Sequence, residues 1–321
     1  MSMIMDESRL PAPGEAEVTV VIVSYKTRDL SLKAVETLID NSPGVAMRIV
    51  FFDNASGDSS AEAVASRFPQ VDVTANDENI GFARANNLVA STARTEWLLL
   101  LNPDTETYPD AIANLLAFAK THPEAGIVGG QTRFPDGSLN PSSCWQRMTP
   151  WSTFTSAVGL SSIFPNSALF NSEAIGGWKR DTVRHVDIVV GCFLLIRLEL
   201  WKKLGGFDQR YFMYGEDADL CLRARELGYR PMITPDARIM HLVGASTANR
   251  AEKVVAVMRA KATLVRDHWP RWQVPLGLGM LWLWAAMRGV ASLVATRPDR
   301  RARLRYLWSE RKYWLAGFPS Q

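Results

Sequence analysis

The sequence predicts an α/β fold built on a mostly parallel central sheet, and three observations carry that prediction. Short apolar, β-branched runs recur through residues 18–130, separated by stretches with helical spacing. The runs are near-continuous rather than alternating, as in strands covered on both faces. Acidic and amide side chains follow directly at Asp53, Asn102 and Asp104, where open α/β sheets bind their ligands. Strands alternating with helices make βαβ units.

The elements follow in order. Residues 1–17 are acidic and Pro-bearing and read as a loose tail. They lack a basic stretch followed by an apolar run, so no signal peptide is expected. Residues 18–23 are the first strand, with Ser24-Tyr25-Lys26 at its C-terminal end. A helix is predicted over 29–40, where Leu30, Ala34 and Leu38 form one stripe and Pro43-Gly44 lies beyond the end. The second strand, 48–52, ends in Asp53-Asn54-Ala55-Ser56, which opens a helix over 60–67. A short strand at 71–74 precedes Asn79-Ile80-Gly81-Phe82-Ala83-Arg84, which leads into another helix. The fourth strand, 97–101, is closed by Asn102-Pro103-Asp104-Thr105. A helix over 109–120 and a strand over 126–130 complete this half.

Residues 131–180 carry many Ser, Pro, Asn and Trp with little periodicity, and read as a loop region. Residues 186–196 read as a strand pair or one bent strand, with Gly191 allowing close backbone approach. A helix over 199–204 leads into an aromatic loop holding Phe207, Tyr211, Phe212 and Tyr214. Gly215 then precedes Glu216, Asp217 and Asp219. Leu220, Cys221, Ala224 and Leu227 share one helical face and Gly228 ends it, so the acids sit at a helix N-terminus. One acid satisfies a helix dipole, at about 0.3–1 kcal/mol. Three acids behind four aromatics suit a carboxylate held as a base. A strand is predicted at 230–234, and the stretch 239–247 follows it. The latter holds His241, a half-buried structural histidine unless it meets Asp104 in space.

Composition narrows the function. The chain has 321 residues, 47% apolar and 21% charged, enough for a sizeable core. A net charge of +3 gives no sign of a nucleic-acid partner. Cys144, Cys192 and Cys221 are scattered without a CxxC pair, which fits a reducing cytosol. No G-x-G-x-x-G follows the first strand and no G-x-x-x-x-G-K-[ST] occurs. Phosphate charge must then be met by a metal or by basic side chains. Asp104, in a Pro-constrained turn, suits Mg²⁺ or Mn²⁺, or simply caps the turn. Asp53 accepts a hydrogen bond from a base or ribose, or caps its loop. Arg84 neutralises phosphate or forms a surface pair.

The C-terminal stretch differs in kind. Residues 274–287 carry no charge and include Trp282 and Trp284. Arg288 interrupts, and Arg297, Arg300, Arg301, Arg303, Arg305, Arg311 and Lys312 follow against Asp299 and Glu310. A spanning helix wants about 20 apolar residues. This shorter, broken run predicts an interfacial helix with a basic flank for anionic lipid. The alternatives are a buried core helix or the contact of a homodimer.

Taken in order, Val23-Ser24-Tyr25, Asp53-Asn54-Ala55-Ser56, Asn79-Ile80-Gly81-Phe82-Ala83, Leu101-Asn102-Pro103-Asp104, the Gly206-Phe207-Asp208 loop with Gly215-Glu216-Asp217-Ala218-Asp219, and His241 with Gly244 and Ser246 resemble the family 2 glycosyltransferases, especially their bacterial rhamnosyltransferase-like branch. The resemblance covers about residues 18–250. It implies a GT-A fold, with a Rossmann-like, mostly parallel central sheet flanked by helices. Residues 18–130 would form a nucleotide-sugar half, 131–250 an acceptor half, and 251–321 a helical, membrane-associating extension.

The resemblance also implies roles. Asp53 would hold the nucleotide base beside Ser24, Tyr25 and Asn54. Asn79, Gly81 and Arg84 would line the nucleotide and diphosphate, with Asn102 and Asp104 beyond. Asp104 and His241 would share a divalent metal, Mg²⁺ or Mn²⁺. Asp217 would be the base and Glu216 would place the acceptor, with Gly191, Trp178 and Tyr214 on the acceptor side. One departure stands out, since Asn102 replaces the first acid of an Asp-x-Asp pair and removes a negative charge beside the metal. The implied reaction is inverting transfer from dTDP-L-rhamnose, or else a UDP-sugar, to a glycan or lipid-linked saccharide, in the cytoplasm on the inner face of the membrane. A nucleotidyltransferase would need a glycine- and lysine-rich loop where 24–28 has no glycine. Retention of Asp104, Asp217 and His241 argues against an inactive binding protein.

Overall fold

The structure is a computed structural model that describes residues 16–242, 250–293 and 297–319. The expected tail therefore lies almost wholly outside the described residues, as do Gly244 and Ser246. Twelve strands run in chain order among the described residues: β1 Val18–Ser24, β2 Met47–Asp53, β3 Asp72–Ala75, β4 Trp97–Leu101, β5 Thr105–Thr107, β6 Ile127–Arg133, β7 Leu139–Asn140, β8 Cys144–Trp145, β9 Arg184–His185, β10 Ile188–Val189, β11 Phe193–Arg197 and β12 Met232–His241. The helices are α1 Arg28–Asp40, α2 Ser60–Arg67, α3 Phe82–Ser91, α4 Ala111–Thr121, α5 Pro150–Ala157, α6 Leu160–Ile163, α7 Leu198–Leu204, α8 Glu216–Glu226, α9 Arg250–His268, α10 Val274–Ala291, α11 Pro298–Ser309 and α12 Arg311–Ala316.

The main sheet runs β3-β2-β1-β4-β11-β6-β12-β5. Strands β1 to β4 pair in parallel, and β12 is parallel to β6. Between these blocks β11 lies antiparallel to both β4 and β6. All seven residues of β1 are buried, as a strand covered on both faces requires. Helices α1, α2 and α4 cover one face through Val35, Leu38, Val64 and Leu115. Helices α3, α7 and α8 cover the other through Val89, Trp201 and Leu220.

Several expectations change in detail. The apolar run at 186–196 is a strand pair split between two sheets, since β10 pairs with β8 apart from the main sheet. The strand expected at 230–234 runs on to His241 as β12, with a register irregularity between Thr234 and Arg238. The 131–180 region is not all loop. Thr149 caps α5 with a reciprocal Thr149–Ser152 capping box and Pro150 at the first turn, so this helix starts without apolar periodicity.

Helix α10 continues through Arg288 rather than breaking there. It buries Gly277, Met280, Leu281 and Ala285 against Val255, Met258, Leu307 and Trp314. Its other side exposes Leu276, Trp282, Met287 and Val290. The helix over Arg271–Ala291 is long and apolar enough to cross a membrane. It is nonetheless a core helix on one face and an uncovered apolar surface on the other.

Candidate active site

The ends of β1 and β2 lie in register, Ser24 opposite Asp53. The Ser24 hydroxyl is shared with Thr27 at 2.9 Å and Ser31 at 3.0 Å, so it braces the start of α1. Asp53 Oδ2 accepts from the Ser56 N–H at 3.2 Å. Asp53 Oδ1 is buried without a partner. Burial pushes the Asp53 carboxyl up, against the hydrogen bonds from Ser56. A buried acceptor left open is expensive, and this oxygen is free to accept an N–H or O–H. Tyr25 is half-buried beside it, with Lys26 Nζ over its ring.

Asn54 is committed to the neighbouring loop. Its Oδ1 accepts from Ile80 N–H at 3.0 Å and its Nδ2 donates to Asn79 Oδ1 at 3.0 Å. Asn79 Oδ1 also accepts from Gly81 N–H. Gly81 has φ 83°, and a Cβ there would meet the Phe212 carbonyl oxygen at 2.7 Å. Phe82 N–H donates to that same carbonyl at 2.8 Å. Asn87 adds a two-way clamp, donating to Phe207 O and accepting from Phe207 N–H. The loop at 79–81 and the aromatic loop are thus one interlocked unit, and Asn87 is a residue that motif reading passes over. Arg84 is exposed and has no acidic partner among the described residues.

Strand β5 pairs with the end of β12, Thr105 opposite His241. That register brings Asp104 to His241, with Oδ1 and Nε2 3.3 Å apart. Burial pushes the imidazole down, but Cys192 and Asp104 beside it outweigh this and hold it up at about 10. His241 Nδ1 and Asn102 Oδ1 are both buried without partners. Among the described residues no three His, Cys, Asp or Glu side chains converge. Asp104 and His241 would hold a divalent cation only together with further oxygen ligands, and His241 would have to lose its proton to do so.

The acid helix α8 starts at Gly215, with φ 95°, directly after Tyr214 at φ 72°. Asp217 Oδ2 accepts from the Gly191 N–H at 3.0 Å and Oδ1 from the Ala218 N–H at 2.7 Å. Burial raises its pKa, and these N–H groups oppose the rise. Glu216 is buried, with Oε2 unpartnered, and burial and the Asp217 charge push it well above the carboxylate range. Asp219 is different. Burial pushes it up, but His268 Nε2 at 2.9 Å and Arg223 Nε at 2.7 Å hold it below the usual value. The third acid therefore ties α8 to α9, and two acids remain for chemistry.

Gly191 joins the two centres. Its N–H holds Asp217, while the next residue, Cys192, accepts from Asn102 N–H at 3.2 Å and abuts His241. The glycine is not needed for space, since a Cβ there would meet Phe82 and Asp217 at ordinary contact distance. Its use is the N–H. Tyr214 carries Lys253 of α9 over its ring. Trp178 is half-buried, bonds Thr182 and stacks with Arg180 and Arg184. None of these contacts joins it to Glu216 or Asp217.

Comparison with known proteins identifies the family and the fold. The family model described as Glycosyl transferase family 2 matches residues 19–180. An N-acetylglucosaminyl-diphospho-decaprenol L-rhamnosyltransferase of Mycobacterium tuberculosis is 29% identical over 258 residues, covering 71% of this chain and 78% of that protein. The rhamnosyltransferase WbbL of Escherichia coli is 27% identical, covering 70% of this chain and 83% of that one. Among solved structures, the mannosyltransferase PcManGT of Pyrobaculum calidifontis, in complex with GDP-Man and Mn²⁺, aligns with a TM-score of 0.56 at 19% identity, over 96% of this chain and 87% of that one. The fold is thus GT-A-like, and the chain is a glycosyltransferase that belongs to glycosyl transferase family 2.

Proposed function

We propose that this enzyme transfers L-rhamnose from dTDP-L-rhamnose, with inversion, to a hydroxyl of a lipid-linked saccharide in cell-surface polysaccharide synthesis. The observation that carries the reading is the short path Asp217–Gly191–Cys192–His241–Asp104, which sets a raised-pKa carboxylate beside a carboxylate–imidazole pair. Asp217 takes the proton of the acceptor hydroxyl, whose oxygen attacks the anomeric carbon as the bond to the nucleoside diphosphate breaks. Glu216, buried beside it, orients the acceptor. Asp53 Oδ1 receives an N–H of the base, and Arg84 meets the diphosphate. Asp104 and His241 would hold a divalent cation, which would offset the charge growing on the leaving group. The rhamnosyl donor and lipid-linked acceptor take support from the named activities of the relatives. Nuclear magnetic resonance of the product tests the reading. The anomeric configuration is expected to be opposite to that of the donor, and retention would refute the role of Asp217.

The exposed side of α10 and the arginines of α11 form the proposed membrane contact. Arg297, Arg300, Arg301 and Arg305 are exposed and have no acidic partners among the described residues. Each basic group near an anionic surface contributes about 1 kcal/mol. Truncating the chain would uncover the α9–α10 core, so surface substitutions are the sharper test. Replacing Arg300, Arg301 and Arg305 by Gln is expected to release the protein from anionic vesicles in a flotation assay. Unchanged flotation would remove the membrane role from this segment.

A further inference from the structure

A cavity of about 400 Å³ lies between α5, α8, α9 and the turn at Arg271–Gln273, away from the donor residues. Its wall is mixed, with Pro150, Ile188, Leu222 and Trp269 beside Arg147, Arg225, Glu226 and His268. Three of its charged residues are already committed, Arg225 to Asp187, and His268 and Glu226 to each other, with His268 also bonded to Asp219. Arg147 is not. Its backbone N–H bonds Asp187, but its exposed guanidinium has no acidic partner among the described residues.

Two features connect this cavity to its surroundings. First, its lining adjoins the uncovered apolar surface. Pro150 is followed by Trp151, 44% exposed, and Gln273 is preceded by Trp272, 77% exposed. Trp151 sits in an aromatic group with Phe154 and Phe170, and α5 packs on α10. Exposed aromatics of this kind mark membrane interfaces. Second, α8 and β10 run from the cavity to the base. Ile188 and Leu222 line the cavity, Val189 bonds Cys221, and Gly191 bonds Asp217. At the helical rise, Leu222–Glu226 lies about 8–14 Å along the axis from Asp217.

We propose that this cavity receives the carrier end of the acceptor, a lipid with a diphosphate head. Arg147 meets the diphosphate, the apolar part of the wall takes the first carbons of the chain, and the saccharide extends along α8 to Asp217. The inference rests on the lipid-linked acceptor proposed above. It explains a cavity with one uncommitted guanidinium and a partly apolar wall, set between two exposed tryptophans at a distance from the base that a sugar and a diphosphate would bridge.

Binding of farnesyl diphosphate to the full-length protein, followed by calorimetry, tests it without reading turnover. Wild type is expected to bind saturably, and inorganic diphosphate at least about tenfold more weakly, because the chain contributes. Arg147→Gln and Leu222→Trp are each expected to weaken farnesyl diphosphate about tenfold or more while nucleotide-sugar binding holds. Absence of saturable binding by wild type, or full binding by both variants, overturns the proposal. Asp217→Asn is expected to bind the probe as wild type does, so a failure of the transfer mechanism remains distinguishable from a failure of this site.

Discussion

Asp217→Asn is expected to lower turnover by about 10²–10⁴ while leaving donor affinity unchanged, because a general base contributes a factor of that size. The substitution removes the basic oxygen and keeps a side chain that Gly191 N–H can still bond. The pH profile gives a second readout. Burial raises Asp217, so activity should climb through an acid limb displaced upward from that of a free aspartate, and that limb should vanish in the variant. The stability sign runs the other way. Groups whose folded pKa is raised favour the native state when protonated, so the contribution of Glu216 and Asp217 is present at low pH and lost as pH rises through their folded values. Single-turnover kinetics with calorimetry of the donor check the prediction. Donor affinity falling together with activity would make Asp217 a structural residue.

Gly215→Ala is expected to damage both stability and turnover. The glycine has φ 95°, and an added Cβ would stand 2.7 Å from Ala260 Cβ and 2.9 Å from the Tyr211 ring. The left-handed backbone costs a residue with a side chain about 1–2 kcal/mol. Overpacking adds about 1–3 kcal/mol. The clash falls where α9 docks on the start of α8, so relief requires Glu216 and Asp217 to move. Denaturant unfolding is expected to show a loss of about 2–5 kcal/mol, the sum of those two effects, with activity reduced beyond what the lost folded fraction explains. A variant of wild-type stability and rate would mean that the acid helix does not depend on this contact.

Much of this site is legible in the sequence because the signals are local. A strand followed by an acid marks a sheet end, which locates Asp53 and Asp104. A glycine, three acids and a periodic apolar face mark the start of α8. What is not legible depends on pairing across the sheet. Nothing local in the apolar run at 186–196 tells that β11 reverses direction between β4 and β6, since such runs carry no strand polarity. The meeting of Asp104 with His241 follows from the β5–β12 register, over more than a hundred residues of chain. The split of the acids is equally remote, because Asp219 is claimed by His268 on α9. Helix α5 is hidden for another reason. Its start is written in Thr149, Pro150 and Ser152 rather than in apolar spacing.

The most direct test of the account is a calorimetric donor panel on the full chain, comparing dTDP-L-rhamnose, UDP-glucose, UDP-N-acetylglucosamine and GDP-mannose, each with Mn²⁺, Mg²⁺ or EDTA. Selective binding of dTDP-L-rhamnose is expected, dependent on a divalent cation and weakened in His241→Ala. Selective binding of another sugar nucleotide, or binding indifferent to both EDTA and His241, would contradict it.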